Sequence, residues 1–415
     1  MSIFKPFKSV RPLKENAHLV ASRPYDVLNS DEAREEVKGN DLSFLHVVKP
    51  EIDLPSEINL YDDQVYYKGL ENFNHFMDQN VFVEEDKACF YVYRLIMNGR
   101  TQDGIVGCSS VQDYLNNAIK KHELTRADKE EDRKNHVRIT QMNAEPVFFT
   151  YPSHAKIDEI VNKTIDSSAP EYDFKTEDDI QHIVWVINND EDITNIETLF
   201  KEIPSVYVAD GHHRTAAAAL VGEEMKSDNP NHDGSEEYNF FLSVLFPENQ
   251  LEIIDYNRVV KDLNDLSEDA FIEKLEVSFD IQKIGSSQHR PSQKHEMGMY
   301  LNSEWYSLKA KEGTYDDNDP IKGLDVSILS ECVLTPILNI TDLRRDKRID
   351  FVGGIRGLEE LERRVDNGEM KVAFAMYPVS LAELMNIADT DNIMPPKTTW
   401  FEPKLRSGLF VHKLS

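Results

Sequence analysis

The densest run of chemically capable side chains is Asp210-Gly211-His212-His213-Arg214-Thr215. It follows the strand-like Val206-Tyr207-Val208-Ala209 and precedes the alanine-rich helical run Ala216 to Met225. A glycine at such a junction permits a tight turn and close backbone approach, and the first N–H groups of the following helix attract an anion. With two histidines and an arginine supplying further donors, the chemistry on offer is a phosphate cradle. Asp210 is placed to hold a magnesium ion that bridges phosphates, because a hard cation prefers carboxylate oxygen. The plainer reading makes Asp210 a helix cap and the histidines polar surface. Matched residue types gathered at one strand end outweigh it. A zinc ion on His212 and His213 is disfavoured, since adjacent imidazoles rarely serve one metal and no HxxxH or HExxH pattern lies nearby.

A second group is Lys121-His122-Glu123-Leu124-Thr125, followed by Lys129, Glu130, Asp132 and Arg133. Its alternating signs match a solvated helix face better than a catalytic one. His122 and Glu123 nonetheless lie at a corner between two expected helices, where side chains can converge, and both are base candidates. Arg23-Pro24-Tyr25-Asp26 puts an arginine and an aspartate on a proline-fixed turn, suited to a carboxylate and an amine respectively, although a surface salt bridge is the commoner meaning of such a pair. Met394-Pro395-Pro396-Lys397-Thr398-Thr399-Trp400 reads as a rigid loop packed on the core.

The elements that must position these residues alternate between strand-like and helix-like along the chain, which predicts an α/β or α+β body without internal repeats. Asn29 with Glu32 caps a helix over Asp31–Lys38 that Gly39 ends. Strands are expected at Phe44–Val48, Tyr91–Met97, Gly104–Cys108, Pro146–Tyr151, His182–Ile187, Val206–Ala209 and Phe240–Phe246. Ser110 starts a helix with Leu115 and Ile119 as its stripe. Thr125 caps an almost wholly polar helix over Arg126–Met142, which must border solvent or a polar cleft. Further helices are expected at Ile196–Ile203, near Leu324–Leu338 and at Leu358–Val365, with a polar loop at Lys226–Glu237. A polar stretch after residue 262 suggests two regions, 1–262 carrying the chemistry and 263–415 a mixed α/β remainder.

The whole chain bounds the choice. Its 415 residues include 46 Lys plus Arg against 75 Asp plus Glu, a formal charge of −29, so nucleic acid and anionic membranes are unfavoured partners. The 40% hydrophobic content supports a sizeable core. Cys89, Cys108 and Cys332 form no CxxC pair, which fits reduced, buried thiols in a cytoplasmic setting. No signal-peptide stretch opens the sequence, and the longest apolar runs fall far short of a membrane span, so a soluble, untargeted protein is expected.

At Asp210 to Arg214 the sequence resembles the ParB and sulfiredoxin-like nucleotide-binding superfamily. Ala21 to Val27, Lys121 to Thr125, Glu145-Pro146-Val147-Phe148, Val208 to Ala217 and Met394 to Gly408 together resemble the domain-of-unknown-function 1015 family over nearly its whole length. That resemblance implies a ParB/sulfiredoxin-like core with elaborations and kinship with free serine kinases, and hence transfer of a phosphoryl group from ATP to L-serine with ATP and Mg²⁺ as cofactors. Through the DGHHR match it assigns Asp210, Gly211, His212, His213, Arg214 and Thr215 to nucleotide and metal. The other motifs mark positions to suspect: Glu123 first as the base, with His122 beside it, and Arg23, Asp26 and Glu145 for the substrate, Asp26 and Glu145 also being alternative bases. Asn257 stands where the family version has a histidine. His212 and His213 occupy the turn in which sulfiredoxin chemistry needs a cysteine, so sulfinic-acid reduction is not expected. No Lys/Arg-rich recognition helix supports DNA binding. A homodimer is allowed. The readings from other classes are a nucleotide-responsive binding protein without turnover and a metal-dependent hydrolase.

Overall fold

In the computed structural model, which describes residues 2–415, the chain is mixed α/β and forms two compact units. The first comprises Met1–Leu251 with Pro403–Ser415, and the second Glu252–Glu402. The division thus falls short of residue 262, and the last residues return to the first unit. They do so through backbone pairing: His412 and Lys413 lie against Asn143 and Met142, Val411 bridges to Val10, and Ser407 bridges to Ser22.

The first unit is built on a nine-stranded sheet. In chain order its strands are β1 (Phe4–Lys5), β2 (Phe90–Met97), β3 (Arg100–Ser110), β4 (Ile119–Lys120), β5 (Val147–Tyr151), β6 (Tyr172–Lys175), β7 (Gln181–Ile187), β8 (Val206–Asp210) and β9 (Phe240–Pro247). Their spatial order is β4-β8-β5-β9-β3-β2-β7-β6, with β1 added to β3. Among the described residues, only the β4–β8 and β5–β9 pairs of this sheet are parallel. Val147, Phe149, Val206 and Val208 share one apolar cluster on this sheet with Phe4, Ile105 and Leu245. Each large side chain buried this way contributes about 1.5–3 kcal/mol.

Five longer helices accompany the sheet: α1 (Asp63–Asp78), α2 (Ala127–Thr140), α3 (Ala155–Ser167), α4 (Asp190–Glu202) and α5 (His212–Asp228). Asp62 caps α1, which buries Val65, Tyr66, Gly69, Phe73 and Phe76 at helical spacing. Helix α2 is unusual because its buried stripe is polar: Asp132, Arg133, His136 and Thr140. It packs on α5, where Ala216, Ala217, Ala218 and Ala219 are all buried and their small side chains let the two helices approach. The second unit carries a six-stranded antiparallel sheet made of β10 (Tyr256–Val260), β11 (Phe279–Gly285), β12 (Glu296–Leu301), β13 (Glu304–Ala310), β14 (Ile349–Gly353) and β15 (Val372–Ala375), in the order β11-β13-β12-β15-β10-β14.

Several expectations are corrected. Phe44–Val48 is not a strand; Leu45–Val48 is one helical turn with Phe44, Leu45, Val47 and Val48 all buried, so the run has no alternating face to present. The helix begun by Ser110 stops at Leu115, and Ile119 is a strand residue in β4. Arg126, not Thr125, is the N-cap of α2; the Thr125 hydroxyl donates to Glu130. The segment expected as a helix near Leu324–Leu338 is a short α-turn, Asp325–Leu329, running into a π-turn, Ser330–Leu334. Cys89 and Cys108 are buried, but Cys332 is only half-buried. Asn257 is a buried scaffold residue: its side-chain amide donates to Asp255, and its oxygen accepts from the Met376 N–H.

Candidate functional site

The geometry begins with β8, which ends at Asp210, and α5, which starts at His212. Gly211 between them has φ +96° and ψ +31°, a left-handed conformation that a side chain resists. A Cβ there would also lie 3.2 Å from the Arg214 guanidinium. The turn therefore needs glycine on two counts.

Arg214 is almost fully buried. Its Nη1 donates to the Pro146 carbonyl (2.6 Å) and its Nη2 to Asp210 Oδ2 (3.2 Å), and among the described residues its Nε has no hydrogen-bond partner. On the other oxygen of Asp210 stands Lys404, at 3.4 Å. Burial pushes the Asp210 pKa up, but Lys404, Arg214 and His212 together outweigh it and hold the carboxyl at about 2. Both oxygens of Asp210 thus face cations. That arrangement does not fit a magnesium ligand, which would have to displace one of them; Asp210 acts instead as the anion that aligns Lys404 and Arg214 at the turn.

The histidines of the turn part company. His213 turns toward α2 and accepts the Arg126 backbone N–H at Nε2 (3.0 Å). His212 turns inward, 7% exposed, and among the described residues its Nε2 has no hydrogen-bond partner. Its ring meets that of His122 edge to face, with centroids 4.5 Å apart and planes at 89°. A zinc ion shared by His212 and His213 therefore has no geometric basis. Burial, then the neighbouring His122, drives the His212 pKa well below the usual imidazole value. Burial also lowers His122 to about 4, against the opposing effect of its hydrogen bond to the Val208 backbone. Thr215 contributes to the helix itself: it is buried and its hydroxyl donates to the Gly211 carbonyl (3.0 Å).

Topology explains why His122 and Glu123 arrive here. Strand β4 runs parallel to β8 with Ile119 opposite Val206 and Lys120 opposite Tyr207, so the residues following each strand emerge at the same sheet end. One ligand-capable atom from each of His122, Glu123 and His212 lies within 4.8 Å of the others.

The remaining expected site residues divide. Glu145 is buried, accepts the Tyr25 N–H (3.0 Å) and the Ser407 hydroxyl (3.0 Å), and lies 3.8 Å from Arg133; burial raises its pKa. Arg133 in turn lies over the Tyr25 ring at 4.0 Å. The turn bearing Asp26 is thereby clamped beside Arg214 and His213, and the Asp26 carboxylate favours the charged form of each against the opposing effect of burial. Arg23 points elsewhere, pairing with Glu36 at 3.5 Å, and among the described residues no contact ties it to the phosphate turn. Behind Arg214 a cavity of about 30 Å³, lined by Arg133, His136, Asn143, Glu145 and Arg214 among others, has room for a water.

Two participants escaped the sequence reading. Arg133 was expected on a solvated face, yet it is buried against Asp132 at 2.9 Å. Lys404 lies far along the chain from Asp210, in a C-terminal stretch whose only signal was the resemblance of Met394 to Gly408.

Comparison with solved structures finds distant likenesses. A free serine kinase mutant in complex with AMP matches at 11% identity and TM-score 0.37, covering 74% of this chain and 92% of the other. A conserved hypothetical protein from Pyrococcus furiosus matches at 13% identity and TM-score 0.35, covering 74% and 94%. C-terminally truncated SbnI from Staphylococcus aureus matches at 11% identity and TM-score 0.38, covering 73% and 85%. No curated protein matches the sequence. Among the described residues no helix is long and apolar enough to cross a membrane. The family described as "Protein of unknown function (DUF1015)" matches residues 4–327, most of the sequence and all of the turn just described, and the chain belongs to that family.

Proposed function

We propose that the protein is a nucleotide-dependent phosphotransferase whose acceptor is the hydroxyl of a small amino acid, L-serine in the first instance, with ATP as donor. The observation that carries this reading is the pairing of Lys404 and Arg214 across Asp210 at the glycine-opened start of α5. Two cations and helix N-terminal N–H groups there meet phosphate charge, which is most of what a loose phosphoryl-transfer transition state requires of a protein. The acceptor hydroxyl must lose its proton late in the step. Glu123, which shares the corner with His122 and His212, is the carboxylate assigned to accept it, because Asp210 is held by its two cations. Asp26, exposed on its clamped turn, is assigned to the substrate amine, and the buried Glu145 to holding that turn.

The charge on the donor phosphates is met by Lys404, Arg214 and the backbone, and no step is assigned to a metal on Asp210. The cations on both Asp210 oxygens also favour a second reading, nucleotide binding without turnover. The two separate in one assay: protein, L-serine and Mg²⁺ with ATP, and in parallel with ADP or pyrophosphate, analysed for O-phosphoserine by mass spectrometry. Product supports the transferase. Saturable nucleotide binding without product with any donor leaves the binding protein, and absence of nucleotide binding removes both.

A further inference from the structure

Beside the phosphate turn lies a donor set whose two histidines the phosphotransferase reading does not use and whose carboxylate, Glu123, it uses only as a base. His122 and His212 each present an imidazole, Glu123 presents a carboxylate, and the three ligand-capable atoms lie within 4.8 Å of one another. The two histidines are 2% and 7% exposed, so water contributes little to satisfying their ring nitrogens. Among the described residues His212 Nε2 has no hydrogen-bond partner, which is costly for a buried polar atom unless something else meets it. His122 is oriented by its hydrogen bond to the Val208 backbone, the kind of outer contact that fixes the ring of a ligating histidine.

The distances suit a first-row divalent ion. At the centre of a triangle with 4.8 Å sides, an ion would stand about 2.8 Å from each corner, so inward movements under about 1 Å reach the ~2.0–2.2 Å of zinc–nitrogen and zinc–oxygen bonds. Two imidazoles and one carboxylate select zinc, manganese or iron over magnesium or calcium, which want oxygen alone. Three protein ligands also leave a coordination position open, the pattern of a reactive rather than a purely structural ion.

We propose that His122, Glu123 and His212 form a binding site for one borderline divalent metal ion of the zinc class, next to the phosphate turn. Neither Asp210, whose two oxygens face Lys404 and Arg214, nor His213, whose Nε2 is engaged by the Arg126 N–H, is among its ligands. Glu123 has two carboxylate oxygens, so one can ligate while the other accepts a proton.

The test uses the full-length protein without nucleotide, which keeps its outcome separate from that of the kinase assay. The protein is stripped with a chelator and titrated with Zn²⁺ against a chromophoric competitor, and separately with Co²⁺ followed by its visible absorption. The expectation is one equivalent of Zn²⁺ per chain, a Co²⁺ spectrum of low coordination number that Zn²⁺ bleaches, and a thermal midpoint that rises with free Zn²⁺. His212→Ala and Glu123→Gln should each weaken Zn²⁺ binding by at least about 100-fold, beyond the 10–100-fold typical of losing an outer contact. His213→Gln should leave Zn²⁺ affinity within about twofold. Should His212→Ala fail to fold, the wild-type stoichiometry and Co²⁺ spectrum still decide the matter. Stripped wild-type protein that takes up neither ion stoichiometrically, or binding lost in His213→Gln and retained in Glu123→Gln, overturns the proposal.

Discussion

Replacing Gly211 with alanine perturbs the turn where backbone geometry and ligand chemistry meet. At φ +96° an L-residue is strained by about 1–2 kcal/mol, because its Cβ approaches its own backbone. The new Cβ would also stand 3.2 Å from the Arg214 guanidinium, which cannot retreat freely: Pro146 holds it at 2.6 Å and Asp210 at 3.2 Å. Relief by rotating the 211 peptide would misdirect an N–H at the start of α5, and one hydrogen bond to a charged group is worth about 1.5–3 kcal/mol, or about 10- to 150-fold in affinity. Gly211→Ala should therefore lower the thermal midpoint by about 2–8 °C and weaken ADP binding in calorimetry by at least about tenfold. Gly211→Asn is the informative control, since asparagine tolerates positive φ and should recover much of the stability. If the alanine and asparagine variants match wild type in both midpoint and ADP affinity, the turn does not depend on its backbone as described and the cradle reading fails with it.

Other expectations follow from burial and charge. Asp325, buried in the second unit, is pushed up to about 7 by burial, against the opposing His295 N–H. Its folded form keeps a proton that the unfolded chain releases near pH 4, so stability falls as pH rises from 4 to 7, by about 4 kcal/mol in full. Urea midpoints at pH 5 and 8 should show that Asp325→Asn flattens this fall; equal slopes in variant and wild type would contradict it. His136 and His182 behave oppositely: burial, with Arg133 or Arg406 adding to it, lowers them to about 4 and about 3, so the unfolded chain binds protons first and stability is lost as pH drops below 6.5. Each should contribute about 2 kcal/mol of that loss by pH 5, and His136→Gln, which can still donate to the Val47 carbonyl, should lose less between pH 7 and 5. Arg133→Met strands Asp132 and Glu145 in the interior and should cost about 3–5 kcal/mol by urea denaturation; a change under 1 kcal/mol would mean that the buried charges are not coupled.

The strand-turn-helix at Asp210 to Thr215 was legible because its determinants are local: a β-branched run, a glycine and an alanine-rich helix are adjacent in sequence. The capping box of Asn29 and Glu32 was legible for the same reason, and the structure forms both of its hydrogen bonds. Where the determinant was tertiary, sequence pattern misled. Phe44-Leu45-His46-Val47-Val48 has strand composition, but a run in which all but His46 is buried carries no period that separates strand from helix. Helix α2 looked solvated because hydropathy treats charge as exposed. Asp132, Arg133 and His136 are instead satisfied internally, by one another's neighbours and by the carbonyls of Val47 and Val48.

That polar stripe bears on the chemistry. A cradle of cations repels itself unless counter-charges fix its members, and this protein supplies them in layers: Asp210 between Lys404 and Arg214, then Glu145 near Arg133, with the Asp26 turn pinned to Glu145 through the Tyr25 N–H. These residues come from five separated stretches of the chain, so spacing could not have joined them. The parallel register of β4 on β8 brings the His122–Glu123 corner to the turn, and the returning C-terminal segment brings Lys404 and Ser407. A net charge of −29 is compatible with phosphate binding on these terms, because Asp210 and Glu145 are already matched by arginine and lysine, while distant carboxylates are screened beyond about 10 Å at 0.1 M salt. Phosphate affinity should accordingly respond sharply to Lys404→Met and hardly to removal of surface acids remote from α5.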